Sequence, residues 1–330
     1  MNRTMRVTRR ATVGVLATLA VPRVALAAYP ERPITIIVPL APGGGTDVSA
    51  RILAERLGPN LGPQGRVLID NRPGAGTALG ADVVRRAAPD GYTLLYSTAG
   101  TFAVNPALGA GPIRFHPTRD FTPIAVVGSS AMALVVPASS DIRTLPQLVA
   151  RLRAEPGRHH YGSSGTGSAN HLAAALFTRM VQANVAHSPY RGGNDLTQAI
   201  VRAEVMYAVD LFGSVIGLVR GGQLRLLAVT SATRDPNYPE GPTMAEAGLA
   251  GYEFNNWTGL AAPTGLPDDI ATAISQATNR ALAEPAVRAR MAQLALNPVT
   301  DSTLPSTRRF FDAELERVRD MVARAGVRVE

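Results

Sequence analysis

Four times along this 330-residue chain, an apolar run of strand length ends in a glycine-rich loop that opens into a helical stretch. Residues 34–38 lead through Pro39-Leu40-Ala41-Pro42-Gly43-Gly44-Gly45 into a helix predicted over 46–57, where Val48, Ile52 and Leu53 share one face. Residues 66–69 lead through Asn71-Arg72-Pro73-Gly74-Ala75-Gly76 into a helix over 77–88. Residues 160–162 lead through Ser163-Ser164-Gly165-Thr166-Gly167 into a helix over 168–180, with Leu172, Leu176 and Met180 on one face. Residues 185–187 lead through Pro189-Tyr190-Arg191-Gly192-Gly193-Asn194 into a helix over 195–202. Near-continuous apolar strands separated by helices imply a parallel sheet covered on both faces. Right-handed crossovers then place the strand C-termini and helix N-termini along one edge.

Further strands are predicted at 92–97, 131–136, 205–209, 224–229 and 257–262, and further helices at 145–152, 268–282 and 306–325. In the last helix Phe311, Leu315, Val318 and Val322 make one apolar stripe, the pattern of a core-facing helix. Two βα alternations with a C-terminal return fit an α/β chain of two lobes. No Pro/Gly/Ser-rich linker separates them, so crossing strands are expected to join them, near 124–136 and 224–232. The expected division is residues 28–128 plus 230–330 in lobe 1 and residues 129–229 in lobe 2.

The first 27 residues read as a cleavable leader. Arg3, Arg6, Arg9 and Arg10 precede an apolar run over 11–21, which ends at Ala25-Leu26-Ala27. A basic start, a short apolar run and an A-x-A site form a secretory signal peptide. The run is too short to span a bilayer, which takes about 20 residues. Arg9-Arg10 leaves twin-arginine and general export both open. The formal charge is +8, and removing the leader takes five arginines with it, leaving +3. The remainder holds no basic run and 5% aromatics, so nothing supports a nucleic-acid partner. The absence of cysteine excludes thiol chemistry and thiolate-bound metals.

The glycine loops carry the functional expectation. Glycine lets backbone approach a ligand. The first helical turn leaves its N–H groups unpaired at the positive end of the helix dipole, so it binds anions. Several such ends hold a carboxylate without a charged side chain. The first loop lacks the lysine of a phosphate-binding P-loop and is not G-x-G-x-x-G. Gly162-Ser163-Ser164-Gly165-Thr166 misses G-x-S-x-G at its last position. The five histidines show no metal-ligand spacing. The chain is therefore read as a non-enzyme without cofactor or metal. The alternative is an exported hydrolase using Ser163 or Ser164 as nucleophile, with His171 as the base nearest in sequence. Asp210, just past the 205–209 strand, is placed to meet a ligand amine or orient Arg191.

In order and spacing, these segments resemble the Bug-type extracytoplasmic receptors of tripartite tricarboxylate transporters. The resemblance runs from Tyr29-Pro30-x-Arg32-Pro33-Ile34 through Val38-Pro39-x-Ala41-Pro42-Gly43-Gly44-Gly45-Thr46-Asp47 and Asn71-Arg72-Pro73-Gly74-Ala75-Gly76. It continues through Ala88-Pro89-Asp90-Gly91-Tyr92, Tyr161-Gly162-Ser163-Ser164-Gly165-x-Gly167-Ser168 and His187-x-Pro189-Tyr190-Arg191-Gly192-Gly193 to Ala262-Pro263-Thr264-Gly265. It implies a two-lobe periplasmic binding protein of Venus-flytrap, type II-like form. Such a receptor closes on a small organic acid and delivers it to integral-membrane transporter subunits. A monomer is expected; presentation of the ligand to a sensor kinase is the variant with the same fold. The ligand-binding residues carried over are Pro42, Gly43, Gly44, Gly45 and Thr46; Ser163, Ser164, Gly165, Thr166 and Gly167; Tyr190, Arg191, Gly192 and Gly193; and Asp210 and Ser214. The chain departs from the pattern at Met206, at Arg202-Ala203-Glu204 and at Asn170 before His171. The exported chain is expected to begin at Ala28, which N-terminal sequencing of the secreted protein checks; a start at Met1 contradicts it.

Overall fold

The computed structural model describes residues 29–109, 113–236 and 238–326, so the leader expected over 1–27 lies outside the described residues. The chain first builds β1 (Ile34–Val38), α1 (Gly45–Leu61), β2 (Val67–Asn71), α2 (Ala78–Arg85) and β3 (Thr93–Thr98). A single π-turn (Gly100–Val104) and a short α3 (Asn105–Leu108) lead to a 17-residue strand, β4 (Phe121–Pro137). There follow α4 (Leu145–Ala154), β5 (His160–Ser163), α5 (Ala169–Met180), β6 (Ala186–Pro189), α6 (Gly193–Val201), β7 (Tyr207–Leu211), α7 (Phe212–Arg220) and β8 (Leu224–Val229). The return is made of β9 (Asn255–Pro263), α8 (Asp268–Ala283), α9 (Pro285–Gln293), β10 (Asn297–Pro298) and α10 (Leu304–Ala325).

The strand order is β2-β1-β3-β9-β4-β7-β5-β6, with β8 and β10 also pairing on β4. β1, β2 and β3 are parallel to one another, and so are β5, β6 and β7. Between these two parallel groups lie antiparallel strands. β4 pairs with β9 through Phe121–Ala131, then with β7 and β8 through Met132–Pro137. One strand thus belongs to both lobes and is their first crossing. Its register shifts at Pro123/Ala125, Val126/Gly128 and Leu134/Val135, irregularities that bend a strand between two sheets.

The second crossing is later than the one expected at 224–232. β8 stays in the second sheet, antiparallel to β4. The following segment stays there too: Val229 bridges Thr243, and the Tyr252 hydroxyl donates to the Ala173 carbonyl at 2.8 Å. Thr230 closes this segment by donating to the Phe254 carbonyl at 2.6 Å, and β9 then carries the chain back. The predicted periodicity of 224–232 marked a strand but carried no information about which sheet receives it.

Local chemistry explains the other differences. The helix expected over 77–88 starts at Ala78, because Ala75, Gly76 and Thr77 all have positive φ, and ends at Arg85, where the Ala87 N–H turns back to the Val84 carbonyl at 2.9 Å. α7 escaped prediction: it follows β7 with no intervening loop, and two glycines interrupt its apolar run. Beneath the lobes, Trp257 of β9 stacks on Phe102 at 5.7 Å and tilts against Phe311 of α10 at 4.8 Å. Its Nε1 donates to Glu314 at 2.8 Å, so the one tryptophan is buried with its polar atom satisfied.

Gly213 sets how closely α7 approaches the C-terminal return. A Cβ there lies 1.9 Å from the Leu294 carbonyl oxygen, which is backbone and has no rotamer to adopt. Gly213→Ala is expected to force the two segments apart at a cost of about 1–3 kcal/mol, as overpacking does. Urea unfolding measures it, and an unchanged midpoint contradicts the close approach.

Candidate functional site

The C-terminal ends of the six parallel strands open on one cavity of about 480 Å³ between the lobes. The first lobe contributes Gly44, Gly45 and Thr46 at the start of α1, and the second lobe contributes Ser164, Gly165 and Thr166 before α5. Tyr190, Arg191, Gly192 and Gly193 lead into α6, and Asp210 and Ser214 flank the start of α7.

Four of the expected site residues lie off the cavity lining. Gly43 takes φ 83° and its N–H donates to Asp47 Oδ2 at 2.9 Å, which turns Pro42 and Gly43 outward. Ser163 is fully buried on the far side of its loop. Gly167, with φ 81°, donates its N–H to His171 Nδ1 at 3.2 Å. Other lining residues were absent from the expected set. Gly74 to Thr77 repeat the glycine pattern of the other loops, and Thr98 and Gly100 stand at the end of β3 as small residues. Asn170 was marked in the sequence only as a departure from the receptor pattern, and Asn256 had no sequence signal.

The helices that open here leave their first-turn N–H groups available. The N-cap residues of α1, α6 and α7 are Gly44, Gly192 and Leu211, and none makes a side-chain cap hydrogen bond. α4 and α10, elsewhere, each carry a complete capping box. The α5 start is partly closed, because Ser168 accepts from the His171 N–H at 3.2 Å.

Two carboxylates line the cavity in opposite states. Asp47 is pinned by Arg51 Nε at 3.0 Å, by the Gly43 N–H and by Asn71 Nδ2 at 3.1 Å. Burial acts to raise its pKa, but the Arg51, Gly43 and Asn71 hydrogen bonds win and hold it below the usual carboxylate range. Asn71 also donates to the Leu40 carbonyl at 3.0 Å, so Asp47 and Asn71 tie the first two loops together. Asp210 is 1% exposed, and burial pushes its pKa up to about 6 against the opposing bonds from Leu211 N–H, Asn170 and Thr197. Asn170 Nδ2 lies 2.6 Å from Oδ1, the Leu211 N–H 2.7 Å from the same atom, and Thr197 Oγ1 3.5 Å from Oδ2. Ser164 in turn donates to Asn170 Oδ1 at 2.7 Å. Asn170 is therefore the link that orients Asp210 against the third loop. Arg191 is the cation of the lining and has no hydrogen bond or ion pair among the described residues.

The hydrolase alternative does not find its parts. Ser164 is spent on Asn170, and His171 Nδ1 is spent on the Gly167 N–H. Ser163 does meet a histidine, but it is His187, with Nε2 2.7 Å from Oγ. The same hydroxyl lies 3.1 Å from the Gly165 carbonyl and accepts the Gly165 N–H at 3.2 Å, and the side chain is closed off from the cavity. A buried, fully occupied hydroxyl is a structural tie, not a nucleophile.

With this geometry in view, three comparisons agree. Protein BugT of Bordetella pertussis is 33% identical over 321 residues, covering 97% of this chain and 96% of its own. The adipate-bound Rpa4515 of R. palustris superposes with a TM-score of 0.86 at 30% identity, covering 91% of this chain and 99% of its own. MatC (Rpa3494) of Rhodopseudomonas palustris, with bound malate, gives a TM-score of 0.84 at 29% identity, covering 89% and 100%. The family model for the tripartite tricarboxylate transporter family receptor matches residues 49–327. Two lobes around a cavity of helix N-termini, with this match over most of its length, make the chain a member of that receptor family.

Proposed function

We propose that the chain is a periplasmic receptor that captures a small dicarboxylate between its lobes and hands it to integral-membrane transporter subunits. The observation that carries this reading is the set of uncapped helix starts at Gly44, Gly192 and Leu211 around one cavity that also holds the unpaired Arg191. Each helix end contributes about 0.3–1 kcal/mol toward an anion, and each hydrogen bond to a charged oxygen about 1.5–3 kcal/mol. Three ends and two or three such bonds are of the order of the ~8 kcal/mol of a micromolar complex. The backbone donors suit one carboxylate, and Arg191 suits the other. Adipate and malate, bound by two family structures, differ in length and hydroxylation but share a pair of carboxylates.

Residues 1–27 serve as the export leader in this reading, and the exported chain acts as a monomer. No helix among the described residues is long and apolar enough to cross a membrane. Lobe 2 is taken as residues 129–229 with the 230–254 segment packed on its sheet, and lobe 1 as the remainder. Closure of these lobes buries the ligand, and the closed form is the one presented to the transporter.

Two outcomes test the placement of the site. Gly165 has φ 126°, and a side chain there projects toward the Tyr190 carbonyl. Gly165→Trp or Gly44→Leu is expected to weaken adipate or malate binding at least about tenfold, or 1.4 kcal/mol, by calorimetry. Unchanged affinity in both removes the cavity as the site.

The second outcome is a pH dependence. Asp210 titrates near 6 in the folded chain against an ordinary 3.8, so the native state takes up a proton as pH falls through 6. Asp210 by itself therefore contributes more native stability as pH falls from above 6 toward 4, while His171 and His187, pushed down from 6.5 to about 4 by burial, lose stability as pH falls below 6.5 and oppose it. A neutral Asp210 also ceases to repel a bound anion and gains a donor. Adipate affinity is expected to rise as pH falls from 7.5 to 5.5, and the rise is expected to shrink in Asp210→Asn. The same pH profile in both proteins contradicts the role given to Asp210.

A further inference from the structure

Behind the third loop, on the side away from the cleft, lies a separate cavity of about 370 Å³. Its lining includes Tyr161 of β5, His171 and Arg179 of α5, His187 of β6, and Thr166, which also lines the cleft. The rings form a stack: His171 lies on His187 at 4.0 Å with an 8° interplanar angle, and Tyr161 lies on His187 at 5.0 Å. Each imidazole spends one nitrogen on the third loop. His171 Nδ1 accepts the Gly167 N–H, so its proton is on Nε2. The Ser163 hydroxyl and His187 Nε2 share a hydrogen bond at 2.7 Å, and His187 Nδ1 makes none among the described residues.

What is left over points to a ligand. His171 Nε2–H, His187 Nδ1 and the Tyr161 hydroxyl have no hydrogen-bond partner among the described residues and are open to the cavity. Arg179, at the rim, has no ion pair or hydrogen bond among them either. Burial, and for His171 the neighbouring His187, pushes both imidazoles down to about 4, so both are neutral at pH 7 and Arg179 supplies the charge. Ala175, Ala183 and Val185 give one apolar wall, and Thr166, Thr178 and Gly326 complete the lining. One cation, two neutral donors and an apolar wall match one carboxylate on an apolar body. A hydrated inorganic oxyanion leaves that wall unfilled, and a dicarboxylate leaves its second charge unmet.

We propose that this cavity is a second ligand site, for a small apolar monocarboxylate held by Arg179 with the Tyr161 and His171 donors. It is separate from the cleft and does not depend on which acid the cleft takes. Its occupant rests against the far face of the loop that carries Ser164 to Thr166.

Benzoate is the probe, titrated into the full chain labelled with nitrogen-15, with inorganic phosphate as the second arm. The expected result is saturable shifts of the Gly167, His171, Ala183 and Val185 amides. Arg179→Gln is expected to weaken them at least tenfold, and Tyr161→Phe several-fold. Arg179 is exposed, so its replacement leaves the fold intact, and adipate binding at Gly44 to Thr46 is expected to persist in that variant. Shifts confined to residues 44–46 and 192–193, equal benzoate affinity in Arg179→Gln, or phosphate binding as tightly as benzoate would each overturn the proposal.

Discussion

The N–H groups in the first turn of a helix have no partner inside that helix, and much of this structure is an arrangement of that deficit. Parallel strands joined by right-handed crossovers deliver helix starts to one edge of a sheet. Here two such sheets face each other, so α1 and α2 from one lobe meet α5, α6 and α7 from the other across one cavity. Where the first residue is Gly44 or Gly192, no side chain competes for the donors. A carboxylate is the ligand chemistry that fits orphaned N–H groups, and it needs few charged side chains to do so.

The rest of the fold serves that arrangement. β4 runs through both sheets, so the lobes share a strand instead of hanging on a flexible linker. Gly213 allows α7 to lie against the Leu294 backbone, and the Trp257–Phe102–Phe311 cluster ties β9, the π-turn and α10. Within the cleft the carboxylates are held apart in character. Asp47 is paired with Arg51 and serves the loops, whereas Asp210 is buried beside Asn170 and is left half-neutral near pH 6.

Much of this was legible in the sequence because glycine loops and apolar strands carry their own physics. The alternation predicted both parallel groups, and the loops at Gly44, Gly165 and Gly192 marked three sides of the cavity. What escaped was set by non-local packing. Nothing in 224–232 shows that its strand pairs back on β4, and Ser163 lies in a glycine loop yet faces the protein interior toward His187. Asn170 reads as an ordinary residue of a helix start, and only the fold brings it to Asp210, forty residues on. α7 was hidden because it follows β7 without a turn and its glycines, Gly213 and Gly217, break the apolar period of the helix.

In the proposed reading, backbone donors at helix starts, and not a cluster of charged side chains, hold the acid. A crystal structure of the exported chain with adipate tests it most directly. One carboxylate is expected with its oxygens about 3 Å from first-turn N–H groups at Gly44 to Thr46, directly or through one bridging water, with the third-loop backbone opposite. Adipate held by arginine or histidine side chains alone, or bound outside the cavity between the lobes, would contradict it.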